Sequence, residues 1–253
     1  MRFKVQLEVN GEDMNIDYRR KITHIFKTEL DEEVLKEFFS KNKIKLFTWS
    51  AYFVNAKFEK EKIIFKNDFG NINLYFSFYN YIDGINFYNS FAKLKQKKKK
   101  INISENASAS VKSITMIKEK EIKDSVVIFK TLSPIVCRNN ESRETKNIYY
   151  YFKDKEFEGV LKENLKNKIS SLEIYKEKQI YEDIKELKIE EINLKKTVVK
   201  FYGKNNTDRF DGLFCNASLG IIKITGKTYL LDFIYKSGLG SLTGNGFGYL
   251  DLV

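Results

Sequence analysis

Two features of the sequence are placed to do chemistry. The first is a run of glycines close to the C-terminus, in SGLGSLTGNGFGYLDLV. Gly238, Gly240, Gly244, Gly246 and Gly248, five of the chain's 13 glycines, follow the spacing G-x-G-x-x-x-G-x-G-x-G. Glycine permits positive φ and close approach of a backbone to another molecule. Alternating glycines at the entry to a strand leave one face without side chains, and bare N–H groups there can receive phosphate oxygens. The same cluster would also serve a tight turn and close helix–strand packing. It is not a Walker loop, because Phe247 rather than a Lys-Ser/Thr pair follows Gly246. Nor is it a dinucleotide fingerprint, because the order here is helix, loop, strand. The second feature is the only histidine, His24, in DYRRKITHIFKTEL. Arg20 stands four residues before it and Lys27 three after, so both cations can share its helical face. They would favour the neutral, base-competent imidazole and attract phosphate.

The elements that must position these groups are legible as two similar series. Phe3, Val5, Leu7 and Val9 alternate and predict a strand with one buried face. Tyr18 to Ser40 reads as helix in two pieces, the second capped by Asp31 with Glu32 and Glu33 at its positive end. KLFTWSAYFVNAKF (Lys45–Phe58) reads as one long strand, and KIIFKN and NINLYFSFY as two more. YIDGINFYNSFAKL predicts a helix and VKSITMIKE a strand, giving the order β-α-β-β-α-β. The order then recurs. SVVIFKTLSPIVC is extended, and Phe157, Leu161, Leu165 and Ile169 line one helix face. INLKKTVVKFYG and FDGLFCNASLGIIKIT form a hairpin pair. TYLLDFIYKSG is a short helix with Gly238 at its end, and GFGYLDLV is the last strand. The expected fold is therefore α+β, two tandem ferredoxin-like (βαββαβ) domains over residues 1–122 and 123–253.

Composition narrows the partner. The chain has 253 residues, 42% of them hydrophobic, and a net charge of +11. That excess favours an anionic partner. Only six basic residues are arginine (Arg2, Arg19, Arg20, Arg138, Arg143 and Arg209), and the lysine bias is also what an A+T-rich genome imposes. Lys93–Ser104, KLKQKKKKINIS, reads as a solvated loop able to touch phosphates without specificity. No apolar run reaches 18 residues, which argues against a membrane span, and the N-terminus lacks a signal peptide's apolar block. Cys137 and Cys215 are too far apart for a metal pattern and read as reduced, buried thiols of a cytoplasmic protein. With one histidine, zinc fingers and His-rich copper sites are excluded. Asp208 and Asp211 in TDRFDG read as turn residues rather than metal ligands. No metal or cofactor is expected.

The terminal motif SGLGSLTGNGFGYLDL resembles the glycine-rich motif of the CRISPR-associated repeat-RNA endoribonucleases, the sixth Cas family of the RAMP superfamily. MRFKVQLEV resembles that family's first strand, KIKLFTWS (Lys43–Ser50) its strand after the first helix, and TLSPIVCR (Thr131–Arg138) the opening of its second domain. The pieces lie in the family's order and span nearly the whole chain. The resemblance implies two ferredoxin-like domains that bind the repeat of a CRISPR precursor transcript. It implies one metal-independent cut per repeat, leaving a 2′,3′-cyclic phosphate (or 3′-phosphate) and a 5′-hydroxyl. Repeat RNA is the implied partner; other Cas subunits or a second copy of the chain are candidate protein partners.

The resemblance also assigns roles. The family's usual histidine falls near Phe38, Phe39 and Ser40 of EFFSKNKIKLFTWS, where this chain has none. His24 stands where some relatives carry a catalytic tyrosine or histidine, and it becomes the candidate base. Lys45 matches a lysine that supports the transition state, and Tyr18 is a possible second group. Gly238, Gly240, Gly244, Gly246 and Gly248 are the candidate RNA-binding backbone, with Arg20, Lys27, Arg138 and Arg143 as candidate cationic contacts. The missing histidine leaves open an inactive, repeat-binding protein of the same fold.

Overall fold

A computed structural model describes residues 1–39, 44–139, 148–172, 178–201 and 213–253. The chain forms two compact units. One comprises Met1–Lys43 and Ser50–Glu119; the other comprises Ile44–Trp49 and Lys120–Val253. Each is built on a ferredoxin-like βαββαβ frame.

In the first unit the chain runs through β1 (Arg2–Gly11), β2 (Asp13–Asn15), α1 (Tyr18–Lys27), α2 (Glu32–Phe38), β3 (Phe47–Val54, its first three residues counted with the other unit), β4 (Ala56–Phe58), β5 (Lys62–Phe65), β6 (Phe69–Phe78), α3 (Tyr81–Gln96), β7 (Ile101–Asn102) and β8 (Ala107–Ile117). The main sheet has the order β3-β6-β1-β8-β7. Central β1 pairs antiparallel with β6 from Arg2↔Ser77 to Asn10↔Phe69, and with β8 on its other side. The alternation in β1 sends Phe3, Val5, Leu7 and Val9 inward, all buried. They meet an aromatic core in which Phe3 stacks on Phe76 and Phe26 packs against Phe87, with centroids 5.2 and 5.3 Å apart.

Two local expectations are corrected here. Lys45–Phe58 is not one strand: β3 stops at Val54 and the chain turns at Asn55, whose φ of 58° is left-handed. Asparagine tolerates that conformation because its short polar side chain costs little there. The chain beyond it, β4, joins a separate small sheet in the order β2-β5-β4. Asp31 occupies the N-cap position of α2, but its carboxylate makes no cap bond and pairs with Lys93 Nζ at 2.7 Å.

The second unit runs through β9 (Val126–Thr131), β10 (Cys137–Arg138), β11 (Tyr149–Tyr150), α4 (Phe157–Ile169), α5 (Lys178–Glu186), β12 (Lys188–Phe201), β13 (Leu213–Thr225), α6 (Thr228–Ser237) and β14 (Leu250–Leu252). Its sheet order is β12-β13-β9-β14. The hairpin of β12 and β13 stays paired from Lys188↔Thr225 to Phe201↔Leu213, whereas β9 pairs β13 only over Ile221–Thr225. Leu161, Leu165 and Ile169 of α4 and Leu230, Phe233 and Ile234 of α6 are all buried. Cys137 and Cys215 are free and buried.

Candidate functional site

The glycine run links α6 to β14. Gly238 follows the last residue of α6 at φ 82°, and its N–H donates to Ile234 O. Leu239 then donates to Gly248 O at 2.9 Å and Ser241 to Val136 O at 2.7 Å. Leu242 is left-handed (φ 58°) and opens a 3-10 turn over Thr243–Asn245. Gly246 and Gly248 return their N–H groups to Thr243 O and Pro134 O. The loop thus folds back on itself. At Gly248, with φ 67°, a Cβ would run into the carbonyl of Leu239, so no other residue fits. At Gly246 a Cβ would sit 2.8 Å from the indole of Trp49, so the ring of the chain's only tryptophan packs flush on the backbone.

Of the five glycines expected to offer amides, Gly238, Gly246 and Gly248 spend theirs inside the protein. Gly240, itself buried, and Gly244 donate to no acceptor among the described residues. At the turn, the amides of Leu242 and Thr243, which were not expected, join that of Gly244 in carrying no hydrogen bond among the described residues. Successive N–H groups around a left-handed residue, here Leu242, form the kind of concavity that receives an oxyanion. Lys45 stands beside them: a Cβ on Gly244 would lie 3.0 Å from Lys45 Cγ. The wall is completed by Thr48 Oγ1, which donates to Phe247 O at 2.7 Å, and by Trp49 Nε1, which donates to Gly244 O at 3.1 Å.

Beneath the loop lies α4. The Lys168 ammonium, fully buried, donates to Ser237 O at 2.9 Å and Gly238 O at 2.6 Å. Burial pulls it down from 10.5 to about 7; the carbonyl acceptors at the negative end of α6 work the other way. One turn earlier, Asn164 Nδ2 donates to Arg138 O at 3.0 Å, while its Oδ1 accepts from the Arg138 N–H and from Ser241 Oγ. Arg138 is half-buried on β10, with its side chain in hydrogen-bonding reach of Tyr149. Burial raises the Tyr149 phenol, and Arg138 acts against that rise. Arg143, Ser40, Asp208 and Asp211 lie outside the described residues.

The remaining candidates are on α1 in the first unit. His24 and Arg20 are exposed on adjacent turns of the helix. Lys27 is half-buried, its Nζ 3.7 Å from the centre of the Phe39 ring. Tyr18 sets its ring edge-on to Phe53 at 4.8 Å, with the Arg19 guanidinium 4.7 Å from its centroid. The polybasic run is partly neutralised: Lys97 and Lys99 both pair with Glu29, at 2.6 and 2.9 Å, and hold its carboxyl below the usual range.

Asn164, Lys168 and Trp49 escape a reading by residue type. Asn164 and Lys168 fall on the buried stripe of α4, among Leu161, Leu165 and Ile169. Polar residues on an otherwise apolar face were the available signal.

Two tandem ferredoxin-like domains with a glycine loop before the final strand define a RAMP-like architecture. The model of a family described as "CRISPR associated protein Cas6, C-terminal" matches residues 117–252, more than half of the chain, and the chain belongs to the Cas6 family. Among solved structures, "An RAMP protein binding different RNA substrates" is 22% identical with a TM-score of 0.79, covering 100% of this chain and 99% of that one. A Cas6-related protein from Pyrococcus furiosus is likewise 22% identical, with a TM-score of 0.74 and coverage of 100% and 98%. A Cas6 product complex is 14% identical, with a TM-score of 0.70 and full coverage of both chains. No curated protein matches the sequence. Among the described residues, no helix is long and apolar enough to cross a membrane.

Proposed function

We propose that this chain binds the repeat of a CRISPR precursor transcript in the cytoplasm and cuts it once per repeat without a metal ion. Membership of the Cas6 family supports the reading, as do similar folds, one of a protein binding different RNA substrates and one a Cas6 product complex. The observation that carries it is the turn at Leu242–Gly244, with three unbonded amides and the Lys45 side chain alongside. That arrangement suits a phosphodiester.

The chemistry is transesterification. The 2′-oxygen attacks phosphorus, the P–O5′ bond breaks, and the products are a 2′,3′-cyclic phosphate (or, once opened by water, a 3′-phosphate) and a 5′-hydroxyl. A base must take the 2′-hydroxyl proton, an acid must protonate O5′, and positive charge must offset the phosphorane. His24 is assigned the 2′-hydroxyl proton, because an imidazole nitrogen can accept a proton and this residue is exposed. Lys45 is assigned the charge on the phosphorane, and Tyr18 remains a second candidate for proton transfer. Gly238, Gly240, Gly246 and Gly248 serve by shaping the loop, with Gly244 at its RNA-facing turn. Arg20 and Arg138 are further phosphate contacts.

One observation favours a second reading, an inactive repeat-binding protein. Where the family carries its usual histidine this chain has Phe38, buried, and Phe39, half-buried, whose rings meet edge-to-face with centroids 5.1 Å apart. One experiment separates the two. End-labelled repeat RNA is incubated in EDTA with the wild type, His24→Ala and Lys45→Ala. Cleavage by the wild type, lost on His24→Ala and reduced about a hundredfold or more by Lys45→Ala, is the expected result. Binding with no product from the wild type establishes the second reading, and a cut that requires added divalent metal overturns the mechanism.

A further inference from the structure

The loop hangs from α4 at two points. Lys168 holds the carbonyls of Ser237 and Gly238, where the chain leaves α6. Asn164 holds the Ser241 hydroxyl, one residue before the left-handed Leu242. The two residues stand four apart on one helix, so their side chains lie one above the other on the same face. We infer that Asn164 and Lys168 are positioning residues that set the amides of Leu242–Gly244 for the phosphodiester, an assignment that rests on the RNA reading above.

Three physical arguments carry it. An ammonium stripped of water is costly, and an apolar side chain would fill the same space at less cost. Its neighbours on the stripe, Leu161, Leu165 and Ile169, do so. What the ammonium adds is direction: it fixes two carbonyls that α6, like any helix, leaves unsatisfied at its end. Asn164 is likewise fully determined. Its Nδ2 donates to Arg138 O and its Oδ1 accepts from the Arg138 N–H and Ser241 Oγ, so turning the amide over would break both bonds to the Arg138 backbone. The same side chain therefore fixes the backbone of Arg138, a further candidate contact. Finally, from Ser241 to the first free amide is a single peptide step, so a displaced Ser241 is a displaced anion site.

The test uses the full chain carrying Lys168→Met, Ser241→Ala or Leu161→Ala, at a temperature where each is folded by circular dichroism. Trp49, whose indole bonds Gly244 O, reports the loop by its emission. Lys168→Met is expected to shift that emission to longer wavelength and to weaken repeat-RNA binding about tenfold, the worth of a charged hydrogen bond. Ser241→Ala, which leaves the core of α4 intact, should move both readouts in the same direction. Leu161→Ala removes more buried packing than either anchor variant but touches neither loop anchor, and should leave both at wild-type values. Wild-type affinity and emission in both anchor variants would overturn the assignment, as would equal changes in Leu161→Ala. If the wild type fails to bind repeat RNA, the functional reading falls, while the emission comparison still decides whether these residues set the loop.

Discussion

Lys168 carries its charge where water does not reach, and this makes stability a function of pH. Its folded value of about 7 lies below the ordinary 10.5. Between the two the unfolded chain holds a proton that the folded chain does not. The stabilisation from this group is complete above 10.5 and is lost as pH falls toward about 7. The unfolding free energy of the wild type, measured relative to Lys168→Met, should therefore rise as pH goes from 7 to 10, as read by urea titration at each pH. A second residue-scale outcome concerns the thiols. Burial pushes Cys137 up to about 12, and its Sγ rests on Phe157 O at 3.4 Å. A thiol so held presents almost no thiolate at neutral pH. The native protein should resist iodoacetamide at Cys137 for hours at pH 8, and react promptly in denaturant, as followed by mass spectrometry.

At the scale of elements, glycine positions separate into those the fold requires and those it does not. Gly248→Ala meets the Leu239 carbonyl in a left-handed conformation and should destabilise by about 1–3 kcal/mol. Gly159, within α4, has open space where a Cβ would go. Gly159→Ala should stabilise by about 0.5–1 kcal/mol, because alanine loses less entropy in a helix. Thermal unfolding of both variants checks the pair. Elements with strong periods were legible in the sequence: β1 through alternating Phe3, Val5, Leu7 and Val9, and α4 through four-residue spacing from Phe157. What escaped was local or tertiary. The left-handed turn at Asn55 breaks a run whose composition is uniformly that of a strand. Helix α5 was missed although Ile180, Ile184 and Leu187 keep a helical spacing, because charged residues crowd the segment. The loop's spacing was legible as a close approach of backbone; which amides stay open was not, since that depends on distant acceptors such as Pro134 O and Val136 O.

For the molecule as a whole, a net charge of +11 predicts RNA affinity that falls steeply with salt. Part of the polybasic run is nonetheless paired: Lys93, Lys97 and Lys99 face Asp31 and Glu29. Replacing Lys97 and Lys99 by alanine should change repeat-RNA affinity by less than about twofold, whereas Lys45→Ala should lower the slope of log affinity against log salt by about one. Filter binding across a salt series tests both. The division into two units could be read from the recurring βαββαβ order, but the membership of Ile44–Trp49 in the second could not, because only packing decides it.

The unequal reach of β13's neighbours has a further result. Near Thr225 that strand lies between β9 and β12; the β9 ladder ends at Ile221, a single bridge from Ile135 reaches Ser218, and beyond it Phe214 and Val198 are exposed. Past that bridge the ladder is two strands wide, and a two-strand ribbon holds itself together only weakly. Deuterium uptake should therefore stay low from Thr225 through Ser218 and rise toward Phe214. Cooperative melting would then stop partway up a single strand, and one end could open and reclose while the other stays shut.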